Sequence, residues 1–143
     1  MDQLTGPMQE SIQLTMGQWD IMREDANQRF PEEACGLLLG KAGKVFSVVP
    51  VTNILHSRVR YRMDPQEQFS AFSTCEKNGW DLTAIYHSHP DGLENPSKTD
   101  IDECYYPEAI YLIWYKKDSD WQCKGFTIRA DSVSPVPVKI LPG

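Results

Sequence analysis

The chain has 143 residues, a length at which a single domain with one buried core is expected. Hydrophobic residues make up 41% of the composition and charged residues 24%, which excludes wholesale disorder. The formal net charge of -6 argues against a nucleic-acid partner, because phosphate binding requires clustered Lys and Arg. We therefore expect the partner to be a protein or a small molecule.

The sequence also predicts the cellular compartment of the protein and the chemical state of its cysteines. No apolar run approaches the ~18 residues that span a bilayer, and the N-terminus MDQLTGPMQES has no basic or apolar signal region. We therefore expect a cytoplasmic protein with no membrane partner. The cysteines are widely spaced and include no CxxC pair. They are therefore predicted to be reduced core thiols rather than zinc ligands or disulfide partners. They are Cys35, Cys75, Cys104 and Cys123.

The first third of the chain is predicted to contain a loose lead-in, a helix and a hairpin. Residues 1–10 are polar and form the lead-in, and residues 11–143 form the single domain. Apolar residues at helical spacing predict a helix over 16–29, with Thr15 as its N-cap. The apolar runs CGLLLGK and KVFSVVPV, between residues 35 and 51, predict an antiparallel hairpin.

The middle of the chain alternates predicted strands and helices. RVRYRM, residues 58–63, alternates charged and apolar residues, which predicts a half-buried strand. A helix is predicted to begin at Asp64-Pro65 and to end at Asn78-Gly79. LTAIYHSH, residues 82–89, is predicted as a strand, and a short helix is predicted from residue 98 to about 105.

Apolar runs dominate the last third of the chain. AIYLIWY, residues 109–115, predicts a buried strand, and WQCKGFTIRA, residues 121–130, predicts another. The proline-punctuated tail from residue 134 is predicted to form an edge strand at most. This mixture of hairpins and crossovers predicts an α+β fold, that is, a mixed α/β sandwich.

The segment HSHPDGLENPSKTD, residues 87–100, is a candidate metal site. On a strand, His87 and His89 project to the same face and place two imidazoles side by side. Taken alone, a histidine at a strand end is more often a satisfied or solvated side chain than a metal ligand. Ser97 and Asp100 fit a helix-capping pattern as well as they fit a functional pair.

Two histidines and one carboxylate would nevertheless form the ligand set of a metal site. If Ser97 begins a helix, Asp100 lies in its first turn, where the preceding loop can return its carboxylate to the histidines. Three protein ligands with an open fourth position are typical of a catalytic zinc site, with one Zn²⁺ per chain. A base would come from Glu32 or Glu33 in PEEACGLLLG, although such residues are more often solvated charges.

These motifs together resemble the JAMM, or MPN-plus, family of zinc metalloproteases and deubiquitinases, in its compact prokaryotic form. The family pattern is a glutamate in a PxExCG-like strand start, then HSHP or HTHP, seven residues, and SxxD. This chain has PEEACG at 31–36, HSHP at 87–90 and SKTD at 97–100, with the same spacing. Glu33, not Glu32, occupies the family's glutamate position.

The resemblance covers about residues 12–130, including YRMDP and YLIWY. It implies a cytidine-deaminase-like MPN fold, with a central mixed, mostly antiparallel β-sheet flanked by helices. Cys35 is then expected to be a buried strand residue and not a nucleophile. The implied roles are Zn²⁺ ligation by His87, His89 and Asp100, acid–base catalysis by Glu33, and oxyanion stabilisation by Ser97.

The resemblance also implies a substrate class. Family members cut isopeptide or peptide bonds at the C-terminal Gly-Gly tail of ubiquitin-like proteins, and compact prokaryotic members are associated with sulfur-carrier proteins. The short chain has little room for the insertions that hold a second ubiquitin, which favours a sulfur carrier. A deubiquitinase-like isopeptidase and a noncatalytic MPN scaffold are the alternatives. The partners considered also include a second copy of the chain, in a homodimer. A zinc deaminase is disfavoured because its HxE and PCxxC motifs are absent.

Overall fold

The computed structural model describes residues 11–130 and 132–142, so the predicted lead-in at 1–10 lies outside the described residues. Within the described part, none of the helices is long and apolar enough to cross a membrane. The elements, in chain order, are β1 (Ile12–Thr15), α1 (Met16–Arg29), β2 (Cys35–Lys41), β3 (Lys44–Val51), α2 (Pro65–Asn78), β4 (Asp81–His89), α3 (Lys98–Asp102), β5 (Ile110–Lys117), β6 (Asp120–Arg129), β7 (Ser132–Val136) and β8 (Val138–Leu141).

The strands form one mixed sheet in the order β7-β6-β5-β4-β2-β3-β1-β8. The pairs β2–β3, β2–β4, β5–β6 and β6–β7 are antiparallel. The pairs β1–β3, β1–β8 and β4–β5 are parallel. The expected α+β class with a mixed, mostly antiparallel sheet is confirmed.

The C-terminal tail supplies the strand at each edge of the sheet. β7 pairs at one edge and β8 at the other, and only Pro137 separates them in the chain. The Ile12 amide donates a hydrogen bond of 3.1 Å to the Pro137 carbonyl. The tail therefore forms two short edge strands where at most one was expected, and both lie where prolines are tolerated.

The helix boundaries follow the predicted capping residues. Thr15 caps α1 through a capping box with Gln18, as its side chain predicts. Asp64 caps α2, and Gly79 ends that helix with a φ of 68°, in the left-handed region that favours glycine. α3 ends at Asp102, earlier than expected, after five residues.

The strand predicted at residues 58–63 is wrong. The segment is irregular apart from an isolated bridge between Asn53 and Met63. Burial accounts for two of its three alternating apolar residues, because Tyr61 and Met63 pack inward, whereas Val59 is 66% exposed. An irregular loop that buries some of its side chains can therefore show a period-2 pattern like that of a strand. The short strand β1, with the sequence IQLT, was not predicted.

The sheet has a hydrophobic layer on each face. One layer packs against α1 and includes Met22, Tyr86 and Trp114. The other includes Ile85 and buried residues of α2. Because side chains alternate along β4, His87 and His89 lie on the same face as Ile85. All four cysteines are free thiols.

Gly36 of β2 lies directly under the Tyr86 ring, and we expect Gly36→Ala to destabilise the fold. An added Cβ would lie 2.6 Å from the Tyr86 hydroxyl oxygen and closer still to the ring. Tyr86 is fully buried, and its hydroxyl donates a 2.8 Å hydrogen bond to Asp25, so the ring cannot move aside. The expected loss is about 1–3 kcal/mol in the free energy of unfolding, measured by urea denaturation.

Gly17→Ala is the matched control for this prediction. There the nearest atom to an added Cβ is Thr15 Oγ1 at 3.8 Å, so alanine fits without strain. Alanine also favours the helix in which Gly17 lies, so the urea concentration at the midpoint of unfolding should stay the same or rise. An unchanged midpoint for Gly36→Ala would contradict the tight contact with Tyr86.

Candidate metal centre

Three side chains meet at the carboxyl end of β4. His87 and His89 come from β4 and are buried, and Asp100 comes from the first turn of α3. The two Nε2 atoms are 3.1 Å apart, and each lies 3.0 Å from Asp100 Oδ2. The structure therefore brings together the three residues that the sequence indicated as ligands.

Neighbouring groups fix how these side chains face one another. The Leu93 carbonyl lies 2.8 Å from His89 Nδ1, and because a carbonyl can only accept, that nitrogen carries a hydrogen. Neutral His89 therefore presents the Nε2 lone pair to the centre. The Ser97 amide donates to Asp100 Oδ2 at 2.8 Å, and the Tyr61 ring stacks on His87 with centroids 4.7 Å apart. Partners of this kind orient metal ligands in proteins.

The three converging atoms fit a metal ion. Atoms on a tetrahedron with metal–ligand bonds of about 2.0 Å are about 3.3 Å apart, close to the observed 3.0–3.1 Å. His89 Nε2 and Asp100 Oδ2 are both acceptors, so a cation between them would relieve their repulsion. In the described part of the chain, His87, His89 and Asp100 form a group that could hold a metal ion.

Local electrostatics favour the protonation states that metal binding needs at His87 and Asp100, but not at His89. Burial lowers the pKa of His87. Burial alone would raise the pKa of Asp100, but His87, His89 and the Ser97 amide hold it well below its usual range. Burial would lower the pKa of His89, but the hydrogen bonds that its protonated ring would donate to Asp100 and Leu93 raise it. A metal ion would therefore compete with a proton at His89.

Glu33 lies beside this centre. Cys35 pairs with His87, and the Ala34 amide donates to Ser88 Oγ at 2.7 Å, so the same register places Glu33 opposite His89. Glu33 is 4% exposed, and burial raises its pKa to about 8. Its Oε1 has no hydrogen-bond partner among the described residues. The carboxylate is therefore available to exchange a proton.

Glu32 and Cys35 lie close to Glu33 in the sequence, but neither has an environment that suits catalysis. Glu32 is half-exposed and its Oε1 lies 3.2 Å from His56 Nδ1, outside the centre. Cys35 is buried, its Sγ donates to the Val51 carbonyl at 3.5 Å, and burial raises its pKa. A buried neutral thiol of this kind is inert, in line with the expected structural role.

Ser97 caps α3, which is one of the two alternatives that the sequence left open, and this cap also holds Asp100. Its Oγ accepts a hydrogen bond of 3.0 Å from the Asp100 amide, and its own amide donates to the Asp100 carboxylate. This capping box fixes Asp100 at the centre. Because Oγ acts as the acceptor, the hydroxyl hydrogen stays free to donate elsewhere.

Asn53 is a site-supporting residue that the sequence analysis missed. It is 5% exposed, and its Nδ2 donates to the carbonyls of Glu33 and Arg60, both at 3.1 Å. Its Oδ1 accepts from the amides of Leu55 and Arg62, also at 3.1 Å. The amide thus ties the irregular loop to Glu33. No periodicity or motif spacing in the sequence points to it.

We expect Asn53→Asp to weaken the fold around Glu33. The change removes both donors, leaves the Glu33 and Arg60 carbonyls unpaired and adds a buried negative charge. Each buried group left unsatisfied costs about 1–3 kcal/mol, which should lower the melting temperature. Asn78→Asp is the control, since its exposed Nδ2 also donates to a carbonyl, that of Thr74. Equal losses in the two variants would contradict a special role for Asn53.

A centre of two histidines, one aspartate and a neighbouring buried glutamate is typical of metallohydrolases. The family model described as prokaryotic homologs of the JAB domain matches residues 17–124. The chain belongs to this family, and the resemblance noted from its motifs is confirmed.

Named relatives and a solved structure agree with this membership. Desampylase of Haloferax volcanii is 39% identical over 94 residues, covering 64% of this chain and 68% of the relative. CysO-cysteine peptidase of Mycobacterium tuberculosis is 30% identical over 125 residues, covering 85% and 86%. The solution structure of protein DSY2949 from Desulfitobacterium hafniense superimposes with a TM-score of 0.82 at 34% identity, covering 92% of this chain and 94% of that one.

Proposed function

We propose that this chain is a zinc-dependent JAMM-type hydrolase that cuts amide or isopeptide bonds at the tail of a small ubiquitin-like or sulfur-carrier protein. The observation that carries the proposal is the convergence of His87, His89 and Asp100 within 3.0–3.1 Å. Relatives named desampylase and CysO-cysteine peptidase support a hydrolase acting on conjugates of small carrier proteins.

The proposed ligands of Zn²⁺ are His87 Nε2, His89 Nε2 and Asp100 Oδ2. An N₂O set with a fourth open position is the composition of catalytic zinc sites. When bound, zinc would supply a Lewis acid and would lower the pKa of water from 15.7 to about 7. Leu93 and Ser97 would hold two of the ligands in orientation through their existing hydrogen bonds.

Glu33 and Ser97 would perform the protein's part of the chemistry. Glu33 would take a proton from the attacking water as general base and return it to the departing amine as general acid. Its burial excludes competing solvent, and its free Oε1 can accept that proton. The Ser97 hydroxyl would donate to the carbonyl oxygen as negative charge develops there.

The proposed cleavage point is the C-terminal side of a Gly-Gly tail. Glycines have no side chains, so a thin extended tail can lie against a narrow cleft. Recognition should depend on the glycines and the carrier body more than on the released residue. Replacing the penultimate glycine by a bulky residue should therefore slow cleavage far more than changing the released residue does.

Intact-mass analysis of carrier proteins with C-terminal extensions tests this proposal. Zinc-loaded enzyme should remove the extension directly after Gly-Gly and leave linked ubiquitin chains largely intact. Rapid disassembly of ubiquitin chains with intact carrier fusions would favour the deubiquitinase-like alternative. Carrier binding without any cleavage or metal uptake would favour a noncatalytic scaffold.

A further inference from the structure

A cavity of about 290 Å³ adjoins the candidate metal centre. It lies between the irregular loop, α2 and α3, and Asp100 forms part of its wall. The buried residues Met63, Ile85 and Tyr111 also line it, together with the exposed residues Arg62 and Tyr105. The volume is near the lower limit of the roughly 300–1,000 Å³ range of ligand pockets, so it suits one side chain rather than a folded body.

The position of the cavity decides which part of a substrate could reach it. Along β4, Ile85 precedes the two histidines, and Glu33 lies opposite His89 at the far end. The departing amine must lie near Glu33 to receive its proton. The cavity, which includes Ile85 and Asp100, therefore adjoins the acyl side of the cleaved bond, where the carrier tail lies.

The charges around the cavity leave one cation without a partner. Arg60 pairs with Glu103 at 2.8 Å, so these two charges compensate each other. The charge of Asp100 would be compensated by the metal ion. Arg62 forms no ion pair with any residue in ranges 11–130 and 132–142. Among the charged residues of the cavity wall, Arg62 is thus the cation left without an ion-pair partner in the described ranges, although the whole chain has a net charge of -6.

We infer that this cavity receives the side chain of the residue preceding Gly-Gly in the carrier tail, and that Arg62 selects an acidic one. This inference rests on the proposed function and names a further feature of its substrate. An extended chain rises about 3.3 Å per residue, so the residue before Gly-Gly lies about 6.6 Å along the tail from the residue that bears the scissile carbonyl. A carboxylate there can accept charge-assisted hydrogen bonds from the Arg62 guanidinium.

Carriers with Asp, Ala or Lys before Gly-Gly, each bearing the same extension, test this inference. We expect kcat/KM for Asp to exceed that for Lys by about ten-fold, as charged hydrogen bonds typically allow. Arg62→Glu should invert the order, so that the Lys carrier is cut faster than the Asp carrier. Arg58→Glu is the matched control, because Arg58 is an exposed arginine of the same loop outside the cavity wall. It should keep the Asp preference.

Binding measured in the Glu33→Gln background separates this inference from the proposed function. Dissociation constants of the three carriers, from calorimetry, should show the same ranking without any turnover. Ranked binding with no cleavage by the unmodified enzyme would overturn the proposed function alone. An unchanged ranking in Arg62→Glu, an equal inversion in Arg58→Glu, or no binding of any carrier would overturn the subsite.

Discussion

Replacing both His87 and His89 by alanine is expected to reduce bound zinc from about one per chain to background and to abolish turnover. The two imidazoles supply two of the three converging ligand atoms, and a lone Asp100 carboxylate cannot hold the ion. Mutating even an outer partner of a metal ligand typically costs 10–100-fold, so losing two ligands should cost more than about 100-fold in affinity. Elemental analysis after metal reconstitution measures the loss.

His56→Ala is the matched control, since His56 is the one remaining histidine of the three in the chain and lies on the surface. It should keep both the metal and the activity. Circular dichroism must show that the double variant remains folded, because it leaves Asp100 partly buried without its partners. Equal zinc binding by the double variant and the unmodified protein would refute the assigned ligands.

Local features of the sequence were sufficient to predict several helix starts and which side chains converge at the candidate site. Thr15, Asp64 and Ser97 each act through backbone groups two or three residues away, so their helix starts are visible in the sequence. His87 and His89 share a face because strand alternation is also local. The choice of Glu33 over Glu32 needed the family resemblance, since the residues alone did not distinguish them.

Long-range contacts explain what was not predicted. Asn53 supports Glu33 across 20 positions of sequence, and a pattern analysis has no access to such a pairing. The loop at 58–63 packs Tyr61 on His87, although in the described residues its bridge at Met63 is isolated and belongs to no strand. The cavity is built from segments more than 40 residues apart, including Arg62 and Tyr105, so it exists only after folding.

Glu33→Gln is expected to separate metal binding from chemistry. Glutamine has nearly the same shape, so the fold and the zinc content should be retained. It cannot accept and return a proton, so kcat should fall by a factor of about 10²–10⁴. Glu32→Gln is the control and should be close to neutral, because Glu32 is half-exposed and contacts His56. Activity lost in the Glu32 variant but kept in the Glu33 variant would reverse the assignment.

The same substitution has a second expected effect, on the stability of the metal-free protein. Burial raises the pKa of Glu33 from 4.5 to about 8, so the folded state binds this proton more tightly than the unfolded state. Stability is therefore lost as pH rises from about 4.5 towards 8. Because glutamine does not ionise, metal-free Glu33→Gln should melt at a higher temperature than the unmodified protein at pH 8. The difference should vanish near pH 4, and a pH-independent difference would mean that Glu33 is not buried as a neutral acid.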